Sequence, residues 1–217
     1  MELETELVID QPRETDYQYE TLFGSTTKQD SVEFLPPTIQ NQGAKPVTRM
    51  GCGCYGICHA INAQNLAVSK IDGMRFYDIP AEPQWERRLE KTPEAEKQGS
   101  TLQSWLDTMK ELGYITGYSR VTTIEEMKDA LNNTRPIYTG SLNCNWNTVR
   151  DDKKYTLWKG YAHIFCIVWY NASGWIAINS YWPNNWVFYI DYEFTDSLFS
   201  RYALSDSRDA SVFANQK

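Results

Sequence analysis

The chain changes texture once, near Pro136, and that change constrains its fold more than any other feature. Before it, apolar residues recur at helical intervals. In the run Cys54 to Val68, Ile57, Ala60, Ile61 and Val68 share one face, with Gln64 its one polar interruption and Asn62 off it, which predicts a mostly buried helix beginning near Cys54. Ser100-Thr-Leu-Gln103 has the form of a capping box, and Leu102, Trp105, Leu106, Met109 and Leu112 follow at helical spacing up to Gly113. Thr123-Ile-Glu-Glu126 repeats the signal, followed by Met127, Ala130 and Leu131 and stopped by Asn132-Asn133. After Pro136 come β-branched and aromatic runs, Ile137 to Leu142, His163 to Tyr170, Trp175 to Asn179 and Trp186 to Ile190, which predict strands. Asn171-Ala-Ser-Gly174 is short enough to join two of them as a hairpin. The expected class is α+β, helical over about 50–132 and β over about 135–217, without internal repeats or a Gly-rich phosphate loop.

At 217 residues and 41% apolar content the chain can bury one sizeable domain or two small lobes sharing a core. Its net charge of −7 is local: residues 1–35 hold nine acids against Arg13 and Lys28, while 36–217 carry 19 charges of each sign. With no basic surplus, nucleic acid and anionic membranes are not expected as partners. The acidic leader, ending before Pro36-Pro37, reads as a solvated tail, or as a strap or short prosegment that inhibits the body it precedes. The longest strongly apolar run, Ile164 to Tyr170, is far below the roughly 20 residues that span a bilayer, so no transmembrane segment is expected. The start, Met-Glu-Leu-Glu-Thr-Glu, lacks the form of a secretory signal. An odd count of five cysteines suits a reducing compartment, so a cytoplasmic location is expected.

Two histidines, His59 and His163, bound the choice of general base. His59 lies five positions after Cys54, about 500° round a helix, and so points away from it as a packed helix residue. His163 opens an apolar strand after Lys159-Gly-Tyr-Ala162, where an imidazole can face a cleft. Cys54 follows a Gly-flanked turn into a helix, where N–H groups and the helix dipole favour thiolate and, with an imidazolium nearby, bring a cysteine pKa from ~8.5 into the range ~3.5–7.5. The hairpin returns Asn179 to the neighbourhood of His163, where it can orient the ring. Cys52, Cys54, Cys58 and His59 form a dense run, but a single cluster with Cys58 and His59 about 100° apart argues against a metal site. Cys144 and Cys166 read as ordinary thiols, and Trp105, Trp169 and Trp175 as core. No cofactor is expected.

These landmarks resemble those of the papain-like cysteine peptidases, over about residues 34–195. Leu35-Pro-Pro and Gln40-Asn-Gln-Gly43 are similar to that family's mature start and oxyanion glutamine, and Gly53-Cys-Tyr-Gly-Ile57 to its nucleophile turn. Gly99-Ser-Thr-Leu102 with its helix is similar to the substrate loop, and Thr123 to Gly140 resembles the crossing into the β lobe. Ala162-His-Ile-Phe, Trp175-Ile-Ala-Ile-Asn-Ser180 and Trp182 to Trp186 resemble the histidine strand, the asparagine and its covering tryptophans. Each motif alone is common; their order is specific. The resemblance implies a two-lobed fold with a peptide or protein substrate between the lobes, Cys54 as nucleophile, His163 as proton carrier and Asn179 as its orienter. Gln42 would hold the oxyanion, with Gln40 as the alternative. Gly99 and Ser100 would pair with substrate backbone, Ala162 would flank the cleft, and Trp182, like Trp186, would cover the asparagine.

Several positions depart from the pattern. Gln42 stands 12 residues before Cys54, about twice the family spacing, so that Lys45 to Met50 must bulge as an insertion. Gly51 stands where the family has a cysteine three positions before the nucleophile, and Cys52 lies two before. His163 and Asn179 follow Cys54 by 109 and 125 residues, against a usual ~130–150, so trimmed surface loops are expected. Gly99-Ser100 replaces paired glycines, and Tyr181 adds a residue before Trp182. Two alternatives stand beside the peptidase: an inactive binding or structural module on the same fold, and an acyl transferase, deamidase or isopeptidase using the same three residues.

Overall fold

The structure is a computed structural model that describes residues 40–72, 78–141, 147–150, 153–156, 162–172, 174–178, 180, 187–206 and 210. The leader 1–35, Cys144, Asn179, Tyr181, Trp182 and Trp186 lie outside the described residues.

After two short 3-10 turns at Gln42–Ala44 and Pro46–Thr48 comes the central helix α1, Cys52–Asp72. It starts two residues earlier and ends four later than the apolar spacing predicts. Almost every side chain of α1 is buried, as a helix covered on all sides must be. Its polar residues fasten neighbouring loops. Asn62 exchanges two hydrogen bonds with Ile79, 2.8 and 3.0 Å, and the Gln64 amide donates to the carbonyls of Thr134 and Ser205, both at 2.9 Å.

Helices α2 (Ala81–Lys91), α3 (Ala95–Gln98) and α4 (Leu102–Glu111) follow. Within α4, Leu102, Trp105, Leu106 and Met109 are buried as the spacing predicts, whereas Leu112 falls past the last turn and is exposed. Its N-cap is Thr101, whose hydroxyl accepts from Ser104 N, and not Ser100. The Ser100 hydroxyl is taken by the indole N–H of Trp105. Strand β1 (Tyr118–Arg120) leads to α5 (Ile124–Asn132), whose start is the predicted capping box of Thr123 and Glu126.

The rest is β: β2 (Ile137–Ser141), β3 (Asn147–Arg150), β4 (Lys153–Thr156), β5 (His163–Tyr170), β6 (Gly174–Ile178), β7 (Val187–Asp191) and β8 (Leu198–Leu204). Six strands form an antiparallel sheet in the order β1-β8-β2-β5-β6-β7, and β3 and β4 make a separate hairpin. The predicted turn at Asn171 closes through Asn171 N to Gly174 O, 2.9 Å, and Gly174 N to Asn171 Oδ1, 2.9 Å. Gly174 is required there, because a Cβ would lie 2.2 Å from the Ile190 carbonyl oxygen.

Alternation along β5 and β6 explains the layering. Ile164, Cys166, Val168, Ile176 and Ile178 join the core shared with α1, α2 and α4, while Phe165, Ile167, Trp175 and Ala177 join the core under α5. The protein is therefore α+β, with its sheet buried on both faces between α1 and α5.

Candidate active site

The start of α1 is pressed onto β2 and β5. Tyr138 of β2 donates its hydroxyl to the Gly53 carbonyl at 2.8 Å, inside the core. At Gly56 the sheet comes so close that a Cβ would lie 3.2 Å from the Tyr138 ring and 3.3 Å from Phe165 Cα. Eight residues on, Gln64 reaches Thr134 and Ser205, beside the end of the sheet where Ile137 pairs with Ile167. The helix thus runs with β5, and its first turn lies toward the end of that strand that carries His163. Cys52 opens α1 one turn before Gly56 on the same face, so its side chain leaves the helix on the sheet side.

Cys54 follows two positions later, about 200° round the axis. Its Sγ lies 3.4 Å from the Ala81 carbonyl of α2, in full burial. The expected depression of its pKa is not met. Burial, and then a hydrogen bond with the Cys58 thiol, push the Cys54 thiol well above its ordinary value. The structure sets this sulfur in the helical core, against α2.

His163 is the first residue of β5, buried, opposite Ser141 of β2, and stacked on Phe165 with ring centroids 6.3 Å apart. Ala162 is buried directly before it. The other histidine belongs to packing: His59 Nε2 accepts the Gln40 N–H at 2.8 Å, and burial lowers its pKa to about 3, so it stays neutral.

Gln42 is fully buried and clasped across the molecule. Its N–H donates to Ser180 O at 2.8 Å, its Oε1 accepts the Ser180 hydroxyl, and its Nε2 donates to Arg49 O at 2.7 Å. Between Lys45 and Met50 lies the turn Pro46–Thr48, pinned by the buried Thr48 hydroxyl on Gln42 O and by the Trp85 indole on Val47 O, and the Gln42 amide reaches Arg49 O, three residues before Cys52. Gln40 is occupied elsewhere, its amide bonded to the Ile79 carbonyl and the Ala81 N–H, where it fixes the start of α2.

The Gly99–Ser100 loop adjoins the same helical turn through Trp105. The indole fills the space where a Gly53 Cβ would stand, with Cδ1 2.8 Å from that point and Ser100 Oγ 3.1 Å from it. Gly99 takes φ 70° and ψ −146°, a left-handed conformation that favours glycine, so this loop needs one of the two glycines the resemblance implies.

Gln42, Ser180 and Cys52 thus lie near the start of α1, with the Gly99–Ser100 loop beside its Gly53, while His163 opens the adjoining strand with its ring stacked on Phe165, whose side chain belongs to the α5 face. Sequence reasoning did not single out Ser180 or Cys52 as neighbours of Gln42 and of the sheet. Ser180 was visible as the neighbour of Asn179, and Cys52 as the residue one helical turn before Gly56, whose closeness to the sheet the sequence did not show. Among the described residues no three His, Cys, Asp or Glu side chains gather to hold a metal ion, and no helix is long and apolar enough to cross a membrane. Compared with protein-family models and with curated proteins, the chain gives no match.

Proposed function

We propose that the protein is a papain-like cysteine peptidase, two-lobed, with peptide bound between helical and β lobes, and that Cys52 rather than Cys54 is its nucleophile. His163 takes the thiol proton as Cys52 Sγ attacks the scissile carbonyl, and delivers it to the leaving amine as the C–N bond breaks and the thioester forms. Water then attacks the thioester as His163 takes its proton, the C–S bond breaks to release the acid product, and His163 returns the proton to Sγ. Asn179 orients the imidazole. The Gln42 carboxamide, which donates to Arg49 O, joins the Cys52 N–H in holding the oxyanion. Gly99 and Ser100 pair with extended substrate backbone. No cofactor enters these steps.

The observation that carries this reading is the Gln42–Ser180 clasp. It joins a glutamine before the cysteine turn to the residue after the asparagine, 138 positions later in the chain. A buried amide placed there has an electrostatic use that a structural glutamine at an ordinary loop would lack.

The test is thiol labelling with a peptidyl epoxide, read by mass spectrometry, beside peptide hydrolysis by two variants. Cys52→Ser is expected to abolish labelling and to lower kcat/KM by at least about 10³-fold. Cys54→Ala is expected to keep both while lowering stability. The opposite pattern would return the nucleophile to Cys54. Failure of the folded wild type to label or to cleave would support the inert module, which the burial of the described cysteines favours.

A further inference from the structure

Behind the Gly99–Ser100 loop lies an open groove of about 460 Å³, walled by the end of α2, α3 and the start of α4. Its lining includes Arg88, Glu94, Gln98, Gly99, Ser100 and Asp107. Arg88 is its one cation. The guanidinium lies over the Trp105 ring, Cζ 5.9 Å from the centroid, and its Nε is buried without a hydrogen-bond partner. Among the described residues Arg88 makes no ion pair. Of the two acids in the lining, Asp107 is already engaged, accepting from the Tyr118 hydroxyl at 2.7 Å and the Gln103 amide at 3.3 Å.

We infer that this groove is a specificity subsite for an acidic side chain of the substrate, a single carboxylate held by Arg88. The assignment rests on the peptidase reading, and it adds the substrate class. A guanidinium presents five donors in a planar fork suited to a carboxylate, and here its pairing capacity is unused. Stacking on Trp105 fixes the arginine stem, so little side-chain freedom is lost when a ligand binds. Glu94 and Asp107 keep the groove from being a general anion site. They repel a phosphate or a run of acids, and a lone carboxylate meets them from the Arg88 side.

Location ties the groove to the reaction. Trp105 bridges Arg88 to Ser100, through its indole N–H, and to Gly53, the residue after Cys52. A peptide extended along Gly99–Ser100 sends alternate side chains to opposite sides. One side chain on the acyl side of the scissile bond is thereby directed toward the groove.

The experiment uses the full chain and blocked hexapeptides in which one Glu, Gln or Lys is walked through an alanine background. Cleavage is followed with wild type, and binding by tryptophan fluorescence with the Cys52→Ala protein. At one position, Glu is expected to exceed Gln by about tenfold in kcat/KM and in affinity, the scale of a charge-assisted hydrogen bond. Arg88→Met, which keeps the stem on Trp105, should bring that ratio to about one, and Arg88→Glu should invert it toward Lys. Arg88→Lys should retain part of the preference, and serves if the other variants do not fold. Cleavage with no Glu preference, or a preference that survives Arg88→Met, overturns the subsite and leaves the peptidase. Arg88-dependent binding of the Glu peptides without cleavage overturns the peptidase and leaves the subsite. Absence of both removes both.

Discussion

His59 shows how a single buried residue sets a pH limit on the whole fold. Its imidazole is enclosed in α1 and neutral, with a pKa lowered to about 3 from the ordinary 6.5. Below pH 6.5 the unfolded chain binds a proton there that the folded chain refuses, so acid favours unfolding. The contribution is therefore fully present above about pH 6.5 and is lost as pH falls toward 3, at roughly 1.4 kcal/mol per pH unit. Urea unfolding at a series of pH values should show this slope in wild type. His59→Met should lose it, at the cost of a constant offset from the Gln40 N–H left unpaired. Equal slopes in the two proteins would show that His59 is protonated inside the folded chain. The same physics governs Cys54, where enclosure raises a thiol and argues against a resting thiolate.

At the scale of elements, the close approach of α1 to the sheet is what gives the first helical turn its place. Gly56 permits it. A valine there would drive branched methyls into the Tyr138 ring and the Phe165 backbone, and overpacking of this kind typically costs about 1–3 kcal/mol. Gly56→Val is expected to lower the denaturation midpoint accordingly and, on the proposed chemistry, by displacing Cys52 with the first turn of α1, to lower kcat more than it raises KM. An unchanged midpoint would mean that the helix is not seated as described. Elements with a strong period were legible in the sequence: the capping box at Thr123, the buried face of α4, and the hairpin at Asn171. α2 was not, because of its eleven residues only Ala81, Gln84 and Trp85 are buried, too few to stand out among charges. The site was legible in its members more than in its geometry. Cys52 and Cys54 stand about 200° apart on α1, and which of them lies on the sheet side is set by the close approach at Gly56, a tertiary contact that periodicity does not report. Ser100 illustrates the same limit: its capping form was right by composition, but a nearby indole N–H claimed the hydroxyl and Thr101 became the cap.

For the whole molecule, two buried polar bonds hold the N-terminal segments to the sheet side at the site, Tyr138 to Gly53 and Gln42 to Ser180. The second is the more informative, since it ties orientation of a carboxamide to the far end of the chain. Removing the Ser180 hydroxyl leaves Gln42 Oε1 buried without that donor, a loss of about 1–3 kcal/mol if the group cannot reach water. Removing both partners leaves less unsatisfied, so Gln42→Leu and Ser180→Ala together should cost less than the sum of the single changes. On the proposed chemistry, Ser180→Ala also frees the amide to rotate from the oxyanion position, which should lower kcat by about tenfold with little change in KM. Stability and kinetics then separate the two roles. A stability loss with unchanged kcat would make the clasp a structural bond, and strictly additive stabilities would mean that the two side chains do not meet. Coupling in stability together with a selective loss of kcat would identify the clasp as the device that turns a loop glutamine into part of the reaction.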